Sequence, residues 1–438
     1  MLYLSPIVGY VTSATISYVA SNAVVTQLRD SGGNAIVFNA PRGVVQLSNG
    51  NIVVAEPSAN RIRMITPEGV VSVLAGSGSA GSNDGTGTAA TFNSPQGIAV
   101  IPSSGLLAVA EYNNNRIRLI NPSSGVVTTL AGSGAAAFAD GTGAAASFNG
   151  PFAVGVISST GVILVGDAGN NRIRLVTPEG VVTTLAGNNS AAFGDGTGAA
   201  ASFNFPIGVA YDPITSNVFV ADAGNNRVRV VTYPGGVVTT LAGSGAAAFA
   251  DGTGAAASFN GLFSISLIPS RNLIVTGDGN NHRIRLVTYP GGAVTTLAGS
   301  GTNALTDGTG TAAAFYNPSA TAILSNGNIL VTDFLNNRVR LISFPSLAAP
   351  TSPTLSITTG TATLGWTAAS GATAYNWILY MSSNSNYNGT SNASGSTSSN
   401  APTSAPTGLT SGKFWYFTVV SSNASGVSSA IASSIVSY

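Results

Sequence analysis

The chain has 438 residues, only 7% of them charged, and its 16 basic and 15 acidic side chains leave a net charge of +1. It has no cysteine and one histidine. This excludes a disulfide framework, a cysteine-ligated zinc or iron–sulfur site, and any single-chain site needing two histidines. The charge balance argues against nucleic-acid binding by phosphate neutralisation, while a hydrophobic content of 44% is enough to bury a core.

Residues 1–28 carry no charge, and Arg29 is the first ion. They lack a basic leader region, so no signal peptide is evident. No apolar run is long enough for a membrane helix. Residues 10–19 alternate as a strand does, and residues 1–21 read as an N-terminal strand extension. An uncharged strand of this kind seeks an edge to pair with, either on its own C-terminal domain or on a neighbouring subunit.

The next feature is a repeat. Asn-Arg-(Ile/Val)-Arg occurs at 60–63, 115–118, 171–174, 226–229 and 337–340, and His replaces Asn in the copy at 282–285. The first arginines stand at 61, 116, 172, 227, 283 and 338, a period of 55 or 56. Four short β-branched runs recur around each tetrad; in the fourth copy they are 207–211, 217–221, 227–231 and 237–241. Four strands repeated six times predict an all-β, six-bladed β-propeller over 22–345. The outer run Gly-Val-Val-Thr-Thr-Leu is missing after the sixth tetrad, and its counterpart is Val-Val-Thr-Gln-Leu at 24–28. The N-terminal strand is therefore expected to complete the last blade and close the ring.

The unit resembles the NHL-repeat family of propellers. The likeness rests on stretches such as Phe203-Asn204-Phe205-Pro206-Ile207-Gly208-Val209-Ala210, then Val220-Ala221-Asp222, then Asn226-Arg227-Val228-Arg229. It implies the fold strongly and the function weakly, because the family includes protein- and RNA-binding modules, scaffolds and a few enzymes. Enzymes in and near the family place metal-binding histidines or several unlike acids in the channel. This chain lacks those histidines, so the resemblance argues against an enzyme; no catalytic residue, metal ligand or cofactor is assigned.

The carboxylates support that view. Six end second strands, five residues before the first arginine of each tetrad: Glu56, Glu111, Asp167, Asp222, Asp278 and Asp333. Six more fall at inter-blade turns: Asp30, Asp84, Asp140, Asp195, Asp251 and Asp307. Acids locked to the repeat and matched to repeated arginines describe a structural lattice. Its expected members are the six second-strand acids with Arg61, Arg116, Arg172, Arg227, Arg283 and Arg338. A catalytic site instead needs unlike groups converging on one point.

Residues that break the repeat are more informative. His282 stands where the other tetrads have Asn, in a tight turn, and reads as a turn substitution. The position after the blade-initiating Phe-Asn-x-Pro, which reads Phe-Asn-Gly-Leu in the fifth copy and Phe-Tyr-Asn-Pro in the sixth, is Arg42, Gln96, Phe152, Ile207, Phe263 and Ser319 in turn. Aligned blades would set these six as a ring near one channel mouth, a candidate ligand pocket with Arg42 and Gln96 as its main polar contacts.

Composition shifts at a Pro/Ser linker, 346–353. Residues 354–438 resemble a fibronectin type III β-sandwich, through Trp366, Tyr375, Trp377 and the run 408–419. One departure is Trp415 where that family's corner tyrosine is expected, with Tyr416 next to it. The Ser/Asn/Thr-rich stretch 382–405 reads as a long exposed loop. Asn188, Asn388, Asn392 and Asn423 open glycosylation sequons. The expected function is a structural or recognition protein of an extracellular surface or virus particle. Its expected partners are protein subunits of an assembly or surface glycans, with the neutral termini as assembly contacts and homo-oligomerisation through the N-terminal strand or C-terminal domain. The competing reading is a secreted propeller enzyme, lyase or hydrolase in type, with a divalent ion in the channel.

Overall fold

A computed structural model describes Tyr18 and residues 20–344 with their side chains, and beyond residue 350 the backbone of separate strands. Residues Ala23–Ser343 form one compact unit. It is a six-bladed propeller, each blade an antiparallel meander of four strands. In the fourth blade these are Pro206–Asp212, Asn217–Asp222, Arg227–Thr232 and Val237–Ala242. Five blades add a two-residue outer strand, such as Gly196–Thr197 on the fourth. That short strand and the 3-10 turn after it cover an outer edge that would otherwise be open to pairing.

Ring closure follows the sequence expectation. Val24–Gln27 is the fourth strand of the last blade and pairs antiparallel with Arg338–Ser343, Val25 opposite Ile342. The last blade thus contains strands from both ends of the unit, and Ala23 and Val25 are fully buried.

Blades stack face to face, so their middle strands are apolar on both sides. Leu107, Val109 and Ile120 of the second blade meet Val53, Ala55 and Ile62 of the first around Phe92. Phe148, Phe203, Phe259 and Phe315 occupy the corresponding positions at later interfaces and are also fully buried. All but Phe315, which Tyr316 follows, are the Phe of the Phe-Asn signature; burying one such ring stabilises by about 1.5–3 kcal/mol. Toward the axis the first strands come close together. A Cβ on Gly97 would lie 2.6 Å from the Phe152 carbonyl oxygen of the next blade, so only glycine fits there.

Beyond the propeller, Thr351–Thr358, Thr361–Thr367 and Thr403–Ser404 form a three-stranded sheet. A second sheet is built around Ala374–Ser382 and Phe414–Asn423. One expectation is corrected here. Part of the stretch read as a loop, Thr390–Thr397, is a strand paired with Ala374–Ser382. Its threonines and serines satisfy the backbone ladder as apolar residues would; low complexity disguised a strand. The expected linker also ends inside a strand, since Thr351 already pairs with Thr367. The N-terminal extension up to residue 17, Asn388, and the side chains of Trp415, Tyr416, Asn392 and Asn423 lie outside the described residues.

Candidate functional site

Two constellations deserve separation: the charged lattice between blades, and the ring at the channel.

In every blade but the first, the lattice uses the second arginine of the tetrad rather than the first. Arg118, Arg174, Arg229, Arg285 and Arg340 are fully buried, and each bridges two acids. Arg174 is representative. Its Nη1 donates to Asp167 Oδ2 at 2.7 Å and its Nη2 to Asp140 Oδ1 at 2.7 Å. It also donates to the Ala139 and Ser147 carbonyls. The second-strand acid is bonded further, Asp167 accepting from the Asn149 N–H and the Asn170 amide at 2.8 Å. Burial pushes the carboxyls of Glu111, Asp167, Asp222, Asp278 and Asp333 above their ordinary values, and the arginine and amide donors oppose it.

The expected pairs of these acids with Arg116, Arg172, Arg227, Arg283 and Arg338 do not form. Those arginines sit at the strand end, directly across the turn from the acid, as Arg227 is from Asp222. Their heads turn outward to turn carbonyls, and Arg172, Arg227 and Arg283 stack on the exposed rings of Phe138, Phe193 and Phe249 at 3.8–3.9 Å. The second arginine starts two residues further in, so its guanidinium lies between blades within reach of both acids. Only in the first blade does the first arginine take the acid, Arg61 Nε to Glu56 Oε2 at 2.7 Å. Asp30 joins no ion pair there; it caps its own turn, accepting from the Gly32 and Asn34 N–H groups. Asp30 stands two positions after Leu28, whereas Asp84 stands ten after Leu74, so no loop carries Asp30 across to the next blade.

The leading residue of each tetrad is a second linker between blades. Asn60, Asn115, Asn171, Asn226, His282 and Asn337 all adopt left-handed backbone, φ 48–56°, which asparagine tolerates best among residues with a side chain. The Asn171 Oδ1 accepts from the Phe205 N–H of the next blade at 2.9 Å. His282 does the same work: its Nδ1 accepts from the Asn317 N–H at 3.2 Å. An accepting Nδ1 places the proton of the neutral ring on Nε2. Burial holds the imidazole below its ordinary value; Arg283 acts in the same direction, and the Gly279 carbonyl and Asp278 oppose it. The folded state therefore binds fewer protons than the unfolded one. The stability from this contact is present above pH about 6.5 and is lost as pH falls through the folded value. Against His282→Asn, the parent protein should lose more melting temperature between pH 7 and pH 5. Parallel pH profiles for the two proteins would refute the assignment.

At the axis, the first strands enclose a cavity of about 380 Å³. All six symmetry-breaking residues, Arg42, Gln96, Phe152, Ile207, Phe263 and Ser319, line it. They differ in what they offer. Ile207 and Ser319 are buried wall, and the Ser319 hydroxyl is already bonded to Thr332 Oγ1 at 2.9 Å. Phe152 and Phe263 place their rings 5.5 and 4.9 Å from the Arg42 guanidinium carbon. Gln96 donates to Ser94 Oγ at 2.8 Å, while its Oε1 is buried without a partner.

Arg42 is the cavity's one ionisable group. No carboxylate pairs with it, and its Nη1 is buried without a hydrogen-bond acceptor. Burial pushes its pKa down to about 10, which still leaves it charged at neutral pH. Phe334 is a component the sequence reading missed; its ring lies 3.8 Å from the guanidinium carbon. The signal was a second symmetry-breaking column, the residue after each second-strand acid: Pro57, Tyr112, Ala168, Ala223, Gly279 and Phe334. Among the described residues, no group of three His, Cys, Asp or Glu side chains could hold a metal ion.

The sequon at Asn188 is structurally engaged. Its Nδ2 donates to the Ala199 carbonyl at 3.1 Å and to Ser202 Oγ at 3.2 Å, so an attached sugar would displace one of these bonds.

Comparison with known proteins assigns the repeat. Residues 92–118 match the NHL repeat. The other five blades repeat the tetrad, with His for Asn at 282, and the same strand order around the ring. Human NHL repeat-containing protein 2 is 28% identical over 325 residues, 66% of this chain and 44% of that protein. The chain thus spans less than half the length of that relative. Among solved structures, an auxiliary nutrient binding protein from Bacteroides thetaiotaomicron superimposes with a TM-score of 0.56 at 15% identity, over 76% of this chain and 77% of that one. A gluconolactonase from Xanthomonas campestris gives 0.50 at 13% identity, over 77% and 99%. At these identities the structural likeness is one of fold.

Proposed function

We propose that this protein is a non-enzymatic recognition scaffold whose rigid NHL propeller binds its ligand at the channel mouth. One observation carries the reading: the cavity lining contains a single ionisable group, Arg42, and no carboxylate or imidazole. General acid–base work needs a titratable group near the operating pH, and a divalent ion needs oxygen or nitrogen ligands of the right kind. The lining supplies an unpaired cation instead, which repels a metal and does not fit the competing enzyme reading. The buried charged groups elsewhere in the propeller are held in ion pairs and hydrogen bonds.

The working place of such a scaffold is an extracellular surface or a virus particle. There the neutral ends serve as assembly contacts: residues 1–28 and 341–438 hold one ion between them, Lys413. Uncharged Ser- and Thr-rich strands pack side by side without repulsion, and glycans at the sequons would solvate them.

The test uses native material. Light scattering should find the full chain in an assembly, metal analysis should find no stoichiometric ion, and deletion of residues 1–20 should release a folded propeller from the assembly. A tightly bound divalent ion in the channel together with turnover of a lactone or glycan would overturn the reading.

A further inference from the structure

We infer that the channel mouth is a site for a small monocarboxylic acid carrying a hydroxyl or ammonium group, its carboxylate on Arg42 and its donor on Gln96. The inference rests on the recognition reading above and names its ligand class.

The first ground is an account of charge. The sequence has 15 acidic side chains, and all lie among the described residues. Those of the lattice are taken by Arg61 and the buried second arginines. None reaches Arg42. A guanidinium is a planar fork of donors suited to a carboxylate, yet here Nη1 is buried with nothing to accept from it. Three aromatic faces, Phe334, Phe263 and Phe152, surround the cation. They attract it and shield it from water, but a ring face does not replace an in-plane acceptor.

The second ground is Gln96. Its strand is the immediate neighbour, the Gly43 N–H donating to the Gln96 carbonyl at 2.8 Å. The Gln96 Oε1 is a buried acceptor without a donor. One ligand that brings an acceptor to Arg42 and a donor to Gln96 satisfies both. The fifth and sixth blades make no such demand: the Ser266 hydroxyl bonds the Thr321 carbonyl at 2.7 Å, and the Thr321 hydroxyl bonds Ser266 Oγ at 2.9 Å.

Charge and size narrow the class. One cation with no second basic group in the cavity matches a monoanion; a phosphate ester would bring a second charge with nothing to meet it. A volume of about 380 Å³ is at the small end of small-molecule sites. Phe152, Phe263 and Ile207 offer an apolar or aromatic body its contact surface.

The test titrates the full chain by calorimetry with 3-phenyllactate, which has carboxylate, hydroxyl and ring. Its controls are 3-phenylpropionate, lacking the hydroxyl, 3-phenylpropane-1,2-diol, lacking the charge, and inorganic phosphate. The expected result is saturable binding of 3-phenyllactate, about tenfold weaker binding of 3-phenylpropionate, and none of the diol. Arg42→Met, which removes an unpaired buried charge and so should fold, should abolish binding; Gln96→Leu should remove the preference for the hydroxyl acid. Equal binding of the diol, unaffected by Arg42→Met, would overturn the acid and leave the recognition scaffold standing. Binding of phosphate alone, or of none of the four, would also overturn it. The recognition reading itself fails only if the native protein shows the channel ion and turnover.

Discussion

Arg229→Ala should destabilise the propeller by about 3–5 kcal/mol, the cost of removing one partner from a buried ion pair. Arg227→Ala, two residues away in the same tetrad, should cost about 1 kcal/mol or less. The contrast follows from where each head lies. Arg229 is fully buried and holds Asp222 at 2.6 Å and Asp195 at 2.7 Å. It also donates to the Gly194 carbonyl at 2.8 Å. Its removal leaves the Asp222 carboxylate in an apolar interface, still bonded to the Asn204 N–H and the Asn225 amide but without a counter-charge. Arg227 is half-buried, donates to carbonyls and stacks on exposed Phe193. Denaturant midpoints of the two variants measure the difference. Adding Asp222→Asn to Arg229→Ala should recover part of the loss, because the charge goes while an acceptor stays; a double-mutant cycle isolates that coupling. Equal midpoints for Arg227→Ala and Arg229→Ala would refute the second-arginine lattice.

Opening the ring should have the other large effect. Removing residues 1–28 takes out the fourth strand of the last blade. Val25 is fully buried, worth about 1.5–3 kcal/mol, and ladder hydrogen bonds add about 0.5–1.5 kcal/mol each. The Leu28 N–H bond to the Val339 carbonyl at 2.9 Å and the Gly310 N–H bond to the Ala23 carbonyl at 2.8 Å also go. The strand Arg338–Ser343 would then face solvent with an unpaired edge. Such a variant should aggregate or lose its cooperative melt, and limited proteolysis should cut first within the last blade. In the full chain, Val25→Asp should act in the same way by placing a charge against Ile342. A melt within a few degrees of the parent for either variant would show that closure is dispensable. The 1–20 deletion keeps this strand and should spare the fold, which separates assembly from closure.

How much of this was legible in the sequence varies with the kind of feature. The six blades and the closing strand were, because a propeller repeats one local pattern, and the missing outer run after the sixth tetrad had one counterpart, at 24–28. The membership of the channel ring was legible too, since aligned repeats place equivalent residues at equivalent depth. The strand at Thr390–Thr397 was not, because Ser, Thr and Asn serve loops and strands alike and no apolar alternation marked it. Phe334 lies in a different column from Arg42, across the blade boundary, and only packing of the last blade on the first brings the two columns together.

The tetrad marks the boundary between the two sources of knowledge. From Asn-Arg-x-Arg alone came the period, the blade count and the commitment of the repeated acids to structure. Which arginine meets the acids did not, because residues i and i+2 of a strand share a face and are equivalent in pattern. Only packing of one blade on the next separates them, drying the second guanidinium and leaving the first at the rim. The same holds for Arg42. Composition showed a chain with 7% charge and little of it uncommitted. Only the closed ring, by setting three aromatic rings around one guanidinium and keeping all 15 carboxylates elsewhere, decided that Arg42 stands at the channel without a carboxylate partner.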